Sequence, residues 1–208
     1  MKRTLLAALV AAAVAAGTAA ASGPSLLRPA SLHAKAPAVF RARFVTTKGR
    51  FVVTVHRKWA PRGATRFYNL VRAGFYNHQR LFRVIPGFVV QWGISGKPKI
   101  SRAWQNATIR DDPVRHTNAR GTVVFADAGP NTRTTQVFVN LGANTQLDGE
   151  GFAPFGVVTS GFRTLTRLYH QYGERPSSDQ PQIAQQGESF LRKHFPKLDR
   201  ILRARILP

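Results

Sequence analysis

The chain has 208 residues, 43% hydrophobic and 19% charged, with 14 Phe, 4 Tyr and 3 Trp. That is enough apolar surface for one sizeable core and too much for general disorder. Cysteine is absent, which excludes a disulfide framework, a thiol nucleophile and any Cys-based zinc or iron–sulfur site, and 31 Lys and Arg against 9 Asp and Glu give a formal charge of +22 that points to anionic surroundings.

Residues 1–110 contain no acid, so 19 basic groups stand uncompensated there, and chemistry based on paired carboxylates would have to draw both from 111–208. Lys2 and Arg3 precede a wholly apolar run over 5–16, and Ala19-Ala20-Ala21 before Ser22 offers a peptidase site. This pattern predicts a secretory signal peptide over 1–21, because the apolar run is about half the roughly 20 residues of a membrane span; an uncleaved anchor is the alternative. Export is therefore expected, to the periplasm in a Gram-negative cell and otherwise to the medium or the envelope. Pro24, Pro29 and Pro37 among Ser and Ala predict a flexible linker over 22–38, and the folded unit spans 39–208.

Within that unit, apolar-rich stretches at 39–46 and 51–56 flank Thr47-Lys48-Gly49-Arg50, the pattern of an antiparallel hairpin. Pro61, followed by Ala64, Phe67, Leu70 and Val71 at helical spacing and then Gly74, predicts an amphipathic helix. Further strands are expected at 81–85, 88–92, 122–126, 137–141 and 155–159. They are too many and too short for a parallel sheet with crossover helices. A second helix is expected over 162–172, a third within 183–194, and a closing strand over 201–207.

Most site chemistries lack their residues. The six histidines form no HExxH pair or other metal spacing, so no metal and no cofactor is expected, and no GxxxxGK[ST], GxGxxG or GxSxG motif occurs. Asp111-Asp112-Pro113 is read as a turn rather than a catalytic pair, and Asn106-Ala107-Thr108 as a chance sequon. Basic residues interleaved with aromatics over 41–83 offer phosphate contacts and stacking, yet no nucleic-acid recognition module accompanies them.

Four blocks do carry a signal. Phe75-Tyr76, LFRVIPGFVVQWG at 81–93, GTVVFADAGPNTRTTQVFVN at 121–140 and LDGEGFAPFG at 147–156 together resemble the cyclophilin-type peptidyl-prolyl cis-trans isomerases, in a bacterial exported form. The resemblance runs from about Val39 to the carboxyl terminus. It implies a mainly β fold: a closed eight-stranded antiparallel β-barrel capped by two helices, with an extra C-terminal helix within 176–208 before the last strand. It also implies a monomer acting on proline-containing polypeptides, with Arg83 as the catalytic arginine. By the same resemblance Phe88, Val89, Phe138, Leu147 and Phe152 line the proline pocket, Gln91 and Gln136 hold Arg83 and the peptide, and Ala126, Asp127 and Ala128 offer backbone groups.

Strand parity supports part of that assignment. Gln136 and Phe138 face one side and Val137 and Val139 the other, Val89 and Gln91 share a side, and Phe88 needs the bend at Pro86-Gly87 to join them. Gln146 stands where the best-known members carry a tryptophan, Phe152 falls near their histidine, Val89 replaces a methionine, and Leu81-Phe82-Arg83 replaces Phe-His-Arg. The altered pocket edge implies weak inhibition by cyclosporin. Two other readings stay open: a peptide-binding chaperone without turnover, and a protein held to nucleic acid, anionic lipid or acidic polymer through its basic N-terminal half.

Overall fold

The computed structural model describes residues 25–208, so the expected signal peptide and the first residues of the expected linker lie outside the described residues. The order is β1 (Val39–Thr46), β2 (Gly49–His56), α1 (Pro61–Arg72), β3 (Arg83–Ile85), β4 (Val89–Trp92), α2 (Pro98–Trp104), β5 (Thr122–Phe125) and β6 (Val137–Asn140). There follow α3 (Gln146–Gly149), β7 (Pro154–Ser160), α4 (Phe162–Thr166), α5 (Arg175–Ser178), α6 (Gln180–Gln186), α7 (Glu188–His194) and β8 (Ile201–Ile206). Each expected strand is present within a few residues of its predicted bounds. Thr46 pairs with Gly49 to close the β1–β2 hairpin.

All eight strands join one antiparallel sheet, ordered β3-β4-β6-β5-β7-β2-β1-β8. The expected closed barrel is corrected here: the sheet is open, with β3 and β8 as its two ends. The segments just before them meet at one bridge, Arg80 with Arg200, where Leu81 N–H donates to Asp199 O at 3.0 Å and Ile201 N–H to Gln79 O at 2.8 Å. Beyond this bridge the strands part, because β8 runs on against β1 and the three-residue β3 against β4.

The main core fills the inner face of the sheet, where Phe44, Phe51, Phe67, Tyr76, Trp92 and Phe155 are fully buried. Helix α1 lays Ala64, Phe67, Leu70 and Val71 on it. Its end follows from Gly74 at φ 71°: the Gly74 N–H reaches Val71 O and the Phe75 N–H reaches Leu70 O, satisfying carbonyls the helix leaves open. Its start is capped from a distance, since the Asp112 carboxylate accepts the N–H groups of Arg62 and Gly63 at 3.0 and 2.9 Å. Arg133 donates to Asp112 and Asp111, so the Asp pair belongs to a structural ion-pair network in which Asp112 and Arg133 are buried and Asp111 is partly exposed.

Two helical expectations are revised, and helices α2 and α3 form where none was expected. The second helix stops at Thr166 instead of residue 172, because the Tyr169 N–H is taken by the Asp199 carboxylate at 2.7 Å rather than by a carbonyl one turn back. The third is two helices, α6 and α7, broken at Gly187 (φ 64°), where a Cβ would lie 2.2 Å from Gly96 O. Helix α2 was not expected; Trp104 anchors it by donating Nε1–H to Leu26 O at 2.8 Å. That contact also ties down the stretch before β1, where Ala36 is buried and Asn69 exchanges hydrogen bonds with Ala34.

The segment before β8 builds a satellite core of its own. Ile183, Phe190, Leu191, Phe195 and Leu198 enclose Phe82 and Ile94, which fixes this insert beside β3. Among the described residues, no helix is long and apolar enough to cross a membrane.

Candidate active site

The outer face of β3-β4-β6-β5 carries the site, and strand register explains its composition. Arg83 pairs with Gln91, Gln91 with Phe138, and Phe138 with Val124. One row across four adjacent strands thus sets a guanidinium, an amide, an aromatic ring and a valine side by side. Side chains alternate along each strand: Val90, Trp92, Val123, Phe125, Val137 and Val139 enter the main core, while Val89, Val124, Phe138 and Leu147 form a separate apolar cluster on the opposite face. Phe88, Ala126 and Phe152 pack against that cluster.

Here the chain forms a groove of about 450 Å³, lined by Arg83, Phe88, Val89, Gln91, Ala126, Asp127, Phe138, Leu147 and Phe152. Nine of the eleven residues expected at the site therefore share one concavity. The bend at Gly87 (φ 76°) turns Phe88 inward, and Phe88 N–H closes that turn on Ile85 O at 3.0 Å. Phe152 meets Phe138 edge to face at 5.7 Å. Leu147 is delivered by α3, which a chain of buried Asn amides ties to the sheet through the Asp148 carboxylate. Asn140 donates to Asn118 and Thr122, Asn144 donates to Asn140 and to Phe88 O, and Asn118 donates to Asp148 and to Phe152 O.

The other two expected residues sit outside the lining of the groove. Gln136 is one step back: Gln91 Nε2–H donates to its Oε1 at 2.9 Å, so it supports Gln91 and not Arg83 directly. Ala128 lies in the turn beyond, its N–H donated to Thr132 Oγ1 at 2.8 Å. Ala126 N–H is likewise donated, to Gln136 O. Any backbone contact to a peptide along this edge falls to the two alanine carbonyls or to Asp127.

Arg83 is held from three sides. Its Nη1–H donates to Gln91 Oε1 at 3.1 Å, its Cζ lies 5.3 Å from the Phe88 ring centroid, and its Nε–H and Nη2–H donate to Glu174 Oε2 and Oε1, both at 2.7 Å. Sequence reasoning missed Glu174, and with it Ser177, Ser178 and Gln180, which line the same groove from the insert. No spacing signal could have found them, since 91 residues separate Glu174 from Arg83. The hydrogen bonds from Arg83 hold the Glu174 carboxyl below its ordinary pKa, against a smaller opposing effect of burial. Burial pushes the Asp127 carboxyl up, partly offset by the Gly129 N–H that donates to it.

The arrangement is a fixed cation above a greasy slot. Among the described residues, no group of three or more His, Cys, Asp or Glu is placed to hold a metal ion.

The chain is similar to known proteins. The model of the family "Cyclophilin type peptidyl-prolyl cis-trans isomerase/CLD" matches residues 41–187. Peptidyl-prolyl cis-trans isomerase-like 1 of Gibberella zeae is 36% identical over 127 residues, covering 59% of this chain and 77% of that protein. The protein of the same name in Aspergillus fumigatus is 33% identical over 129 residues, covering 60% and 79%. Among solved structures, a cyclophilin type peptidyl-prolyl cis-trans isomerase of Cryptosporidium parvum superposes with a TM-score of 0.61 at 19% identity, over 82% of this chain and 98% of that one. A second structure of that protein, in the presence of the dipeptide Ala-Pro, gives 0.60 at 19% identity over 81% and 99%. With the family model spanning most of the folded unit and both fungal relatives covered over three quarters of their length, the chain belongs to the cyclophilin-type peptidyl-prolyl cis-trans isomerases.

Proposed function

We propose that this isomerase turns X–Pro bonds by holding the proline ring on Phe138, Val89, Leu147 and Phe152 while Arg83 stabilises the twisted imide. Amide resonance sets a rotation barrier of roughly 18 to 20 kcal/mol. No bond breaks and no proton has to leave, so neither a nucleophile nor a general base is needed. At the perpendicular geometry the prolyl nitrogen loses conjugation and regains a lone pair, and a donor aimed there binds this state better than either planar isomer. Arg83 is such a donor, permanently charged and kept in place by Gln91 and the Phe88 ring.

The observation that carries this reading is the row Arg83–Gln91–Phe138, which puts the cation beside the apolar slot on one sheet face. A charged hydrogen bond contributes about 1.5 to 3 kcal/mol, or roughly ten- to 150-fold in rate at about 1.4 kcal/mol per decade. The partly dry, preorganised groove would supply the rest. The test is a proline-limited refolding assay with the purified wild type and Arg83→Ala. Loss of most of the acceleration with the fold intact supports the assignment, and equal acceleration removes it.

The cellular part of the reading rests on the first 21 residues. Their charged, apolar and small-residue order supports export and action, as a monomer, on exported polypeptides that contain proline. Secretion of a reporter fused to residues 1–38 tests the export step. A second, compatible reading has its own observation: Arg41, Arg43, Arg203, Arg205 and Arg50 share the outer face of β8-β1-β2, with Arg43 directly opposite Arg205. Like charges across a strand pair repel, and an acidic polymer would relieve that repulsion. Salt-sensitive retention on such a polymer, lost in Arg43→Ser/Arg205→Ser, tests it.

A further inference from the structure

Resting on the assignment of Arg83, we propose that Glu174 is a positioning residue that competes with the peptide: in the free enzyme its carboxylate holds the Nε–Nη2 edge of the Arg83 guanidinium, and a proline substrate has to take that edge over.

The geometry is a bidentate fork, with both contacts at 2.7 Å, the arrangement that suits guanidinium and carboxylate best. The carboxylate is aimed in advance. Ser177 Oγ lies 2.7 Å from both Glu174 Oε2 and Glu174 O, which share its one hydroxyl proton, and the satellite core around Phe82 sets the insert beside β3. The same insert grips the far end of the polar row, where Gln136 Nε2–H donates to Gln180 Oε1 at 2.8 Å. Residues 174–180 therefore lie along the polar rim of the groove as a strap with two attachment points.

Two consequences follow for catalysis. A carboxylate in this position occupies donors that the peptide would otherwise use, so the bound peptide has to displace it before Arg83 acts on the twisted imide. It is also exchangeable: the Glu174 side chain is 55% exposed and that of Arg83 23%, so the pair is partly screened by water and ions. Glu174 thus sets how readily Arg83 becomes available, and it acts on substrate binding more than on the turning step.

The experiment uses the full chain and a neutral proline peptide, with kcat and KM resolved separately. Glu174→Gln keeps the size and removes the charge. Its KM is expected to fall and its kcat/KM to rise by about two- to fivefold, the strength of a half-exposed ion pair, with kcat nearly unchanged. Ser177→Ala, which frees the carboxylate without removing it, gives a smaller rise in the same direction. Added salt raises kcat/KM of the wild type and leaves Glu174→Gln unmoved.

A kcat/KM for Glu174→Gln at or below that of the wild type, with unchanged thermal unfolding, overturns the proposal. If that variant does not fold, Ser177→Ala and the salt response decide, and no rise in either overturns it. Arg83→Ala separates the two levels of the reading. If it loses turnover while Glu174→Gln changes nothing, only the competition fails; if it turns over like the wild type, both fail.

Discussion

Adjacent residues on one strand should both cost stability when truncated, but only one of them should weaken substrate binding. Phe138 belongs to the groove cluster and is 5% exposed, whereas Val139 is fully buried in the main core. A proline ring offers three methylenes, each contributing about 0.8 kcal/mol when buried. Phe138 shares the floor with Val89, Val124 and Leu147, so truncating it should forfeit roughly 1 kcal/mol of that contact, about fivefold in KM. Its ring packs on Phe152 and faces the open groove, so Phe138→Ala should lose about 2 to 3 kcal/mol of stability, less than a fully enclosed phenylalanine. Val139→Ala removes two buried methyl groups on the other face, costing about 2 kcal/mol of stability with KM within twofold of the wild type. Urea unfolding and steady-state isomerisation of a proline peptide read both quantities. An unchanged KM in Phe138→Ala, or a larger KM effect in Val139→Ala, would refute the placement of the proline slot on this face.

Two further expectations concern charge. Arg133→Met removes the buried cation of Asp112 beneath the start of α1 and leaves it only the half-exposed Arg62 guanidinium at 3.8 Å, so it should destabilise the fold by about 3 kcal/mol while kcat/KM at a temperature where it is folded stays within twofold; an unchanged unfolding curve would contradict the network. Glu174 provides a test of sign. Its folded pKa is depressed, chiefly by the hydrogen bonds from Arg83, so the stability it adds is present above the ordinary carboxylate pKa and is lost as pH falls through the lower folded value. Carbon-13 NMR of the Glu174 carboxyl in Arg83→Ala should show its midpoint shifted upward, and a stationary midpoint would show that the pair does not persist in solution.

Much of this was legible in the sequence because it depends on local rules. Alternation put Phe138 on the face opposite Val137 and Val139, and the Pro61 to Gly74 pattern located α1 within a few residues. What was not legible depends on contacts distant in sequence. The second helix ends early because Asp199, thirty residues on, captures the Tyr169 N–H. The expected third helix breaks because Gly187 packs against Gly96 O, which a glycine between two helical stretches hints at without deciding. Closure of the sheet turns on whether β3 and β8 continue past a single bridge, and neither strand's own residues state that. The pocket residues came from a resemblance to whole blocks, whereas Glu174 lies outside those blocks and reaches the site only through the packing of Phe82 against the insert.

The most direct measurement is the kcat and KM of Arg83→Ala against a short neutral proline peptide, beside the wild type at one pH between 6 and 8. The expected result is a fall in kcat of roughly ten- to 150-fold with a much smaller change in KM, because the guanidinium acts on the twisted state more than on the bound planar ones. A kcat equal to that of the wild type, in a variant with native unfolding behaviour, would contradict the role of Arg83 and leave the groove a binding site alone.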